Sequence, residues 1–225
     1  MKYYLLGAVE KGDFQSVRSL LDSGAEASAA YEDGTTALMI AARLGHADIA
    51  RLLIEQGAHV NAVDEDDGAT ALMFAAGNGH TAIVRALIEQ GAQLNVVSKY
   101  GTTALMSAVW NGNTDITHLF IEQGADVNAA GRGGFTALMA AAEKGRTSIA
   151  RLLTQRGADV NATHENGDTA LLKAAYKGHT DTVRLLIEQG ADVSATNIWG
   201  YTPLSIAKEK GHTAIVEMLR AAGAK

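Results

Sequence analysis

Histidine is the residue type in this chain best suited to acid–base or metal chemistry, because it titrates near neutral pH and cysteine is absent. Seven histidines are present, and four of them follow a glycine: His46, His80, His179 and His212. The other three share no common surroundings. No two histidines have the spacing of a metal-binding pair, and no serine lies in a G-x-S-x-G elbow. We therefore expect the glycine-linked histidines to stabilise turns, with no catalytic residue and no metal site.

Three short segments match functional motifs only in part. Residues 77–82 read G-x-G-x-x-A, but a dinucleotide site needs a preceding strand and a long following helix, and a turn between two helices is expected here. Residues 64–68 carry four acids but lack the order of a calcium loop, so a solvated acidic loop tip is expected, with attraction of a basic partner as the alternative. Asn161 begins a glycosylation sequon, yet it repeats Asn61 and Asn128, for which a structural role suffices. No cofactor is expected.

A glycine pattern of fixed period organises the chain. Gly-Ala pairs occur at residues 24, 57, 91, 124, 157, 190 and 223, at spacings of 33 or 34 residues. Two further glycine series follow the same period, one beginning at Gly12 and the other at Gly34. A fixed period of this length indicates one supersecondary unit copied and stacked, because a single copy cannot bury its own apolar face.

Composition excludes several functional classes. The formal net charge is −6 and no basic cluster stands out, which argues against binding nucleic acid. No apolar stretch approaches the length of a membrane span, and the apolar run near Met1 is followed by no cleavage site for a signal peptide. No linker composition interrupts the chain. We expect a single domain over residues 1–225, a monomer, a cytoplasmic location and no membrane association.

The segment of residues 34–63 shows how one unit should fold. Thr36 is suited to cap the start of a short helix with small residues, and the Gly45-His46 pair should turn the chain. A second helix should follow, with Ile49 and Leu53 at helical spacing, and Gly57 should end it. The next ten residues are too short and polar for a third helix and should form an extended loop or hairpin.

These units resemble the ankyrin repeat over essentially the whole chain, because G-x-T-[AP]-L, G-H and G-A-x-V-N recur in phase. The resemblance implies an all-α solenoid of stacked antiparallel helix pairs with short β-hairpin fingers. It divides the chain into seven units, over residues 1–30, 31–63, 64–97, 98–130, 131–163, 164–196 and 197–225. The family's T-P-L-H is mostly T-A-L-M here, as at Thr36 to Met39, so we expect a more apolar contact between units.

The first and last units carry polar residues where the inner units are apolar. Lys208 and Arg220 replace apolar residues in the last unit, and Ser16 and Ser19 replace them in the first. We expect these positions to cap the stack, so that the array is complete. One extra residue lies between Gly57 and Gly68, in a loop that should tolerate it.

Large aromatic residues concentrate at the slots that the resemblance assigns to finger tips and to the concave face of the first helices. Seven of the chain's 12 aromatics lie there. Tyrosine and tryptophan offer much contact area for little conformational entropy, so these slots predict a binding face. The alternative is that each ring only packs against the next finger. With the acids of the first fingers, the expected partner-binding residues are Tyr31, Asp33, Asp66, Asp67, Tyr100, Trp110, Phe135, Tyr176, Trp199 and Tyr201.

We therefore expect a non-catalytic module that binds a protein partner of unknown identity through its concave face and fingers. Charge along this face changes from acidic in the second and third units to mixed in the later ones, which would orient a partner. A structural or designed scaffold without a cognate partner is the first alternative. An enzyme is the second, although no set of acid, base and nucleophile emerges.

Overall fold

The computed structural model describes all 225 residues and is all-helical, as the sequence predicts. Fourteen α-helices follow one another in pairs: α1 Lys2–Glu10, α2 Phe14–Asp22, α3 Ala37–Leu44, α4 Ala47–Glu55, α5 Ala71–Gly77, α6 Thr81–Glu89, α7 Ala104–Asn111, α8 Thr114–Glu122, α9 Ala137–Glu143, α10 Thr147–Gln155, α11 Ala170–Lys177, α12 Thr180–Glu188, α13 Pro203–Glu209 and α14 Thr213–Ala221. A single 3-10 turn lies at Arg132–Gly134. None of the helices has the length and apolar character needed to cross a lipid bilayer.

The chain divides into two compact units, Met1–Phe120 and Ile121–Lys225, and the boundary falls inside α8. In the first unit, α1, α3, α5 and α7 pack in sequence as one row of helices, and α2, α4 and α6 pack as a second row. In the second unit, α9, α11 and α13 form one row, and α10, α12 and α14 form the other. Each helix pair therefore buries its apolar face against the neighbouring pairs of its unit.

Threonine starts the first helix of six of the seven pairs, as predicted at Thr36. The Thr36 hydroxyl accepts a hydrogen bond from the backbone N–H of Met39 at 3.1 Å. Each cap satisfies one of the backbone N–H groups that a helix start leaves unpaired. The same contact recurs at Thr70, Thr103, Thr136, Thr169 and Thr202.

The glycine-linked histidines join successive pairs through the backbone. The Nε2 atom of His179 lies 3.1 Å from the carbonyl oxygen of Glu143, and that of His212 lies 3.2 Å from the carbonyl of Tyr176. Because a carbonyl can only accept, Nε2 is the donor in both cases. Asn113 takes the same place in its unit and donates to the carbonyl of Ala76 at 2.7 Å. His179, His212 and Asn113 hold the end of the preceding helix, as expected for the turn histidines, whereas the buried Nε2 of His46 has no hydrogen-bond partner.

The fingers are loops closed by backbone hydrogen bonds, and they contain only the isolated β-bridges Ala30↔Thr36 and Val63↔Thr70. In the last finger, the N–H of Asn197 donates to the carbonyl of Tyr201, four residues later. The corresponding bond in the third unit runs from Asp64 to Ala69, five residues later, which places the extra residue in this finger. Neighbouring fingers are also joined, as where the N–H of Ile198 donates to the carbonyl of Asn166 at 2.9 Å.

Candidate functional site

A groove of about 400 Å³ lies in the second unit, where α9, α11 and α13 meet the finger that precedes α13. We call it the aromatic groove, because Tyr176, Trp199 and Tyr201 line it together. These are three of the predicted partner-binding residues, and they come from two successive repeats. The other lining residues are Glu143, Asp168, Leu172, Lys173, Lys177, Asn197, Ile206, Glu209 and Lys210.

Buried apolar residues underlie the groove. Leu172 of α11 and Ile206 of α13 are almost fully buried, and they line the groove from helices that pack against each other. Leu172 is the third residue of its helix, after the Thr169 cap. The caps therefore fix where these side chains emerge, because they set the first turn of each helix.

The finger that carries Trp199 is held by the side chain of Asn197. Asn197 Oδ1 accepts hydrogen bonds from the backbone N–H groups of Trp199 at 3.1 Å and of Tyr201 at 3.0 Å. Asn197 Nδ2 donates to Asp168 Oδ1 at 2.9 Å, which ties this finger to the preceding one. Trp199 is 63% exposed on this fixed backbone. Its ring is thus presented to solvent rather than used in the core.

A half-buried ion-pair cluster forms one side of the groove. Lys173 Nζ lies 3.4 Å from Glu143 Oε2 and 3.9 Å from Asp168 Oδ2. The same ammonium lies 5.4 Å from the ring centre of Phe135, within the range of a cation–π contact. Lys173 thereby links two successive repeats.

Two further lysines of the groove lie close to the ring of Tyr176. The ammonium groups of Lys177 and Lys210 lie 5.3 Å and 4.9 Å from the ring centre of Tyr176, which is 46% exposed. Lys210 Nζ also donates to Glu209 Oε1 at 3.1 Å. Hydrogen bonds from Lys210 and Tyr201 lower the pKa of Glu209, and the bond to Glu209 raises the pKa of Tyr201.

Two of the predicted binding aromatics contribute to packing. Tyr31 lies 6.3 Å from the ring of Tyr3 and donates to Glu10 Oε1 at 3.0 Å. Phe135 makes an edge contact with His164 as well as the contact with Lys173. Both rings are only half exposed. At these two positions the structure shows the packing contact that was the alternative to a binding role.

The remaining predicted residues lie in the first unit. Tyr100 is 62% exposed at the tip of its finger, and Trp110 is 37% exposed at the end of α7. Asp33 and Asp66 are exposed, and Asp67 is half exposed. None of these residues lines the aromatic groove, so the predicted set does not converge on one place.

The acidic finger at residues 64–68 is not uniformly solvated, which corrects the expectation for Asp64. Asp64 is 6% exposed, and its Oδ1 accepts from the backbone N–H of Asp67 at 2.7 Å. The Lys99 ammonium contacts the carbonyl of Glu65 in the same finger. Asp64 therefore shapes the turn, and only the neighbouring acids are available to a partner.

Asn197 and Lys173 line the groove but are not among the residues predicted from the sequence. A signal for Asn197 was present, since the first residue of several fingers has a side-chain acceptor, as Asp64, Ser98 and His164 do. Ser98 Oγ accepts from the N–H of Thr102 at 3.0 Å, which parallels the bonds that Asn197 accepts. Lys173 occupies the position that holds Ile40, Phe74 or Ala140 in other repeats. A charged residue at a position that is apolar elsewhere was the sequence signal for Lys173.

The structure shows no arrangement suited to metal binding. No group of three or more histidine, aspartate or glutamate side chains comes together with ligand geometry. His179 and His212 are engaged by backbone carbonyls of the preceding repeat. The side chains that line the groove are aromatic, apolar and charged groups.

Comparison with known proteins agrees with this architecture. The family model described as Ankyrin repeats (3 copies) matches residues 5–98, 58–131, 91–164 and 138–225. The ankyrin repeat-containing protein P1E11.10 of Schizosaccharomyces pombe is 37% identical over 59 residues, which are 26% of this chain and 28% of that protein's length.

Among solved structures, the crystal structure of the human ASB11 ankyrin repeat domain is similar, with a TM-score of 0.88 and 25% sequence identity. The match covers 98% of both chains. Together with the threonine caps and the repeated helix pairs, these matches show the family: the chain belongs to the ankyrin repeat family.

Proposed function

We propose that this protein is a non-catalytic module that binds a protein partner through the aromatic groove and the neighbouring finger tips. Ankyrin repeats are generally protein–protein interaction modules, which supports binding as the broad role. The observation that carries the proposal for this chain is the convergence of Tyr176, Trp199 and Tyr201 on one open groove.

The placement of these rings supports binding over packing. A ring used for packing is expected to be covered, whereas Trp199 is 63% and Tyr176 is 46% exposed. Their backbones are fixed by the Asn197 hydrogen bonds and by helix α11. A rigid, exposed aromatic side chain loses little entropy when it is covered, which is why such residues are frequent at binding hot spots.

The acidic fingers of the first unit form a second surface, separate from the aromatic groove, that also supports the binding of a protein partner. Glu32, Asp33, Glu65 and Asp66 are exposed on consecutive fingers. The fingers are joined because the N–H of Glu65 donates to the carbonyl of Asp33 at 2.8 Å. We expect these charges to raise the association rate with a basic partner surface more than they raise its affinity.

The test is affinity capture from an extract of the organism that encodes the chain, with the recovered partner then titrated against matched variants. Trp199→Ala should weaken the binding of that partner by about 2 kcal/mol, which is the effect expected at a binding hot spot. Tyr4→Ala is the control, because Tyr4 is 76% exposed in α1, far along the chain from this finger, and does not line the groove. Equal affinities for the two variants would place the binding surface elsewhere.

A further inference from the structure

The carboxylates of the aromatic groove are already engaged by groups of the same chain. Glu143 and Asp168 share Lys173, and Asp168 also accepts from Asn197. Glu209 accepts from Lys210 at 3.1 Å. A cation brought by a ligand would therefore have to compete with an existing ammonium or amide at each of these acids.

The two lysines beside Tyr176 retain unused donors. Lys177 is exposed, its ammonium faces the Tyr176 ring, and it makes no ion pair. Lys210 donates to Glu209, which leaves further N–H groups on an ammonium that has three donors. Both ammonium groups lie within 5.3 Å of the centre of one ring, so the two positive charges are close to the same point of the groove. The groove therefore has ammonium donors that are available to a negatively charged group of a ligand.

Apolar surface lies directly beside these donors. Leu172 and Ile206 underlie the groove, and the exposed rings of Trp199 and Tyr176 rise from it. The volume of about 400 Å³ is enough for a bulky side chain and part of the backbone that carries it. An apolar side chain covered by these rings would remove apolar area from water while a neighbouring carboxylate met the lysines.

We propose that the aromatic groove binds an acidic peptide segment of the partner, in which a bulky apolar residue lies next to an aspartate or glutamate. This inference rests on the proposed function and adds the chemistry of the segment that is bound. The apolar residue contacts Trp199 and Tyr176, and the carboxylate accepts hydrogen bonds from Lys177 and Lys210. Since the charges are exposed, the affinity falls as salt rises.

The test uses a library of random linear peptides displayed on phage and selected against the full chain at low salt. We expect enrichment of peptides that pair Asp or Glu with Trp, Phe, Leu or Ile. An enriched peptide, made synthetically, should lose at least tenfold in affinity with Trp199→Ala and with Lys177→Glu. Lys208→Glu is the matched control, because Lys208 is an exposed lysine of α13 that lies outside the groove, and it should leave the affinity unchanged.

Exchanging the charges of the peptide and of Lys177 tests whether the two groups contact each other. When the acidic residue of the peptide is replaced by lysine, binding to the parent protein should weaken and binding to Lys177→Glu should recover. Peptides whose affinity depends on Trp199 but that carry basic residues, or that show no preference for either charge, would overturn this inference. They would leave the proposed function unaffected. Enriched peptides that bind Trp199→Ala as tightly as the parent would also overturn this inference. If no peptide is enriched, the inference fails, and the capture experiment decides the proposed function separately.

Discussion

At the scale of single residues, short polar side chains set the local geometry of this protein. Asp13 caps α2 by accepting from the N–H of Ser16 at 3.1 Å, and Asp192 accepts from the N–H of Ser194 at 2.8 Å. Asp33 accepts from the N–H of Thr35 at 2.9 Å. The hydroxyls of Ser16 and Ser194 also donate to Asp13 and Asp192, and these bonds, followed by the backbone bonds, lower the pKa of both aspartates. The backbone bond from Thr35 is the main cause that lowers the pKa of Asp33.

These three aspartates predict a loss of stability in acid. Because the folded-state pKa values lie below the unfolded value, their contribution is complete above about pH 4 and is lost as the pH falls through the folded values. The variant Asp13→Asn/Asp33→Asn/Asp192→Asn keeps the turn geometry but cannot titrate at these sites. Its free energy of unfolding, measured by urea denaturation between about pH 2 and 6, should therefore depend less on pH than that of the parent. Identical pH profiles would show that these bonds do not couple to folding.

At the scale of the elements, a helix pair is positioned by the preceding pair of its own compact unit. The glycine at the end of a first helix leaves space for the histidine ring of the next repeat, as Gly178 does for His212. A Cβ atom built at Gly178 would lie 2.6 Å from His212 Cε1, which is too close for any side chain. This contact keeps the His212 ring in place over the end of α11, where it donates to the Tyr176 carbonyl.

A pair of glycine variants separates backbone strain from this clash. Gly178 and Gly190 have φ angles of +78° and +85°, but a Cβ at Gly190 would meet no atom within 4 Å. Both Gly→Ala changes should cost about 1 kcal/mol or more from the positive φ, and Gly178→Ala should cost about 1–3 kcal/mol in addition from overpacking. Chemical denaturation measures both values. Equal losses would mean that the histidine moves away without cost.

The elements of this fold were predictable because their signals are local and repeated. Thr36 before a run of small apolar residues and Gly45 after it define the same helix in sequence and in structure. The buried role of Asp64 was not predictable, because an acid that accepts from its own backbone has the same sequence neighbours as a solvated one. The aromatic groove was predicted only in part. Trp199 is conspicuous in the sequence, but its convergence with Lys173 depends on how adjacent repeats pack.

At the scale of the whole molecule, the sequence predicts one domain and the structure contains two compact units. Their boundary lies inside helix α8 rather than in a linker. A helix is cooperative along its length, so partial unfolding at this point would break backbone hydrogen bonds. We propose that residues 1–225 unfold as one domain.

The two tryptophans offer a direct test, because Trp110 lies in the first unit and Trp199 in the second. In the variants Trp199→Phe and Trp110→Phe, the remaining tryptophan reports the unfolding of its own unit by fluorescence. We expect each fluorescence midpoint to coincide with the midpoint that circular dichroism gives for the same variant. A fluorescence transition that is separate from the loss of helix would show that the units unfold independently.

We propose that the exposed rings of the aromatic groove serve binding and that the buried leucines serve folding. The most direct measurement compares Trp199→Ala with Leu186→Ala, a fully buried residue of α12, for both partner affinity and free energy of unfolding. Trp199→Ala should weaken the binding of the partner by about 2 kcal/mol and change the free energy of unfolding by about 1 kcal/mol or less. Leu186→Ala should remove about 2–5 kcal/mol of stability by leaving a cavity, and the fraction that stays folded should bind normally. If Trp199→Ala destabilises the fold as much as Leu186→Ala, or binds the partner as tightly as the parent does, the aromatic groove is a packing feature and not the binding site.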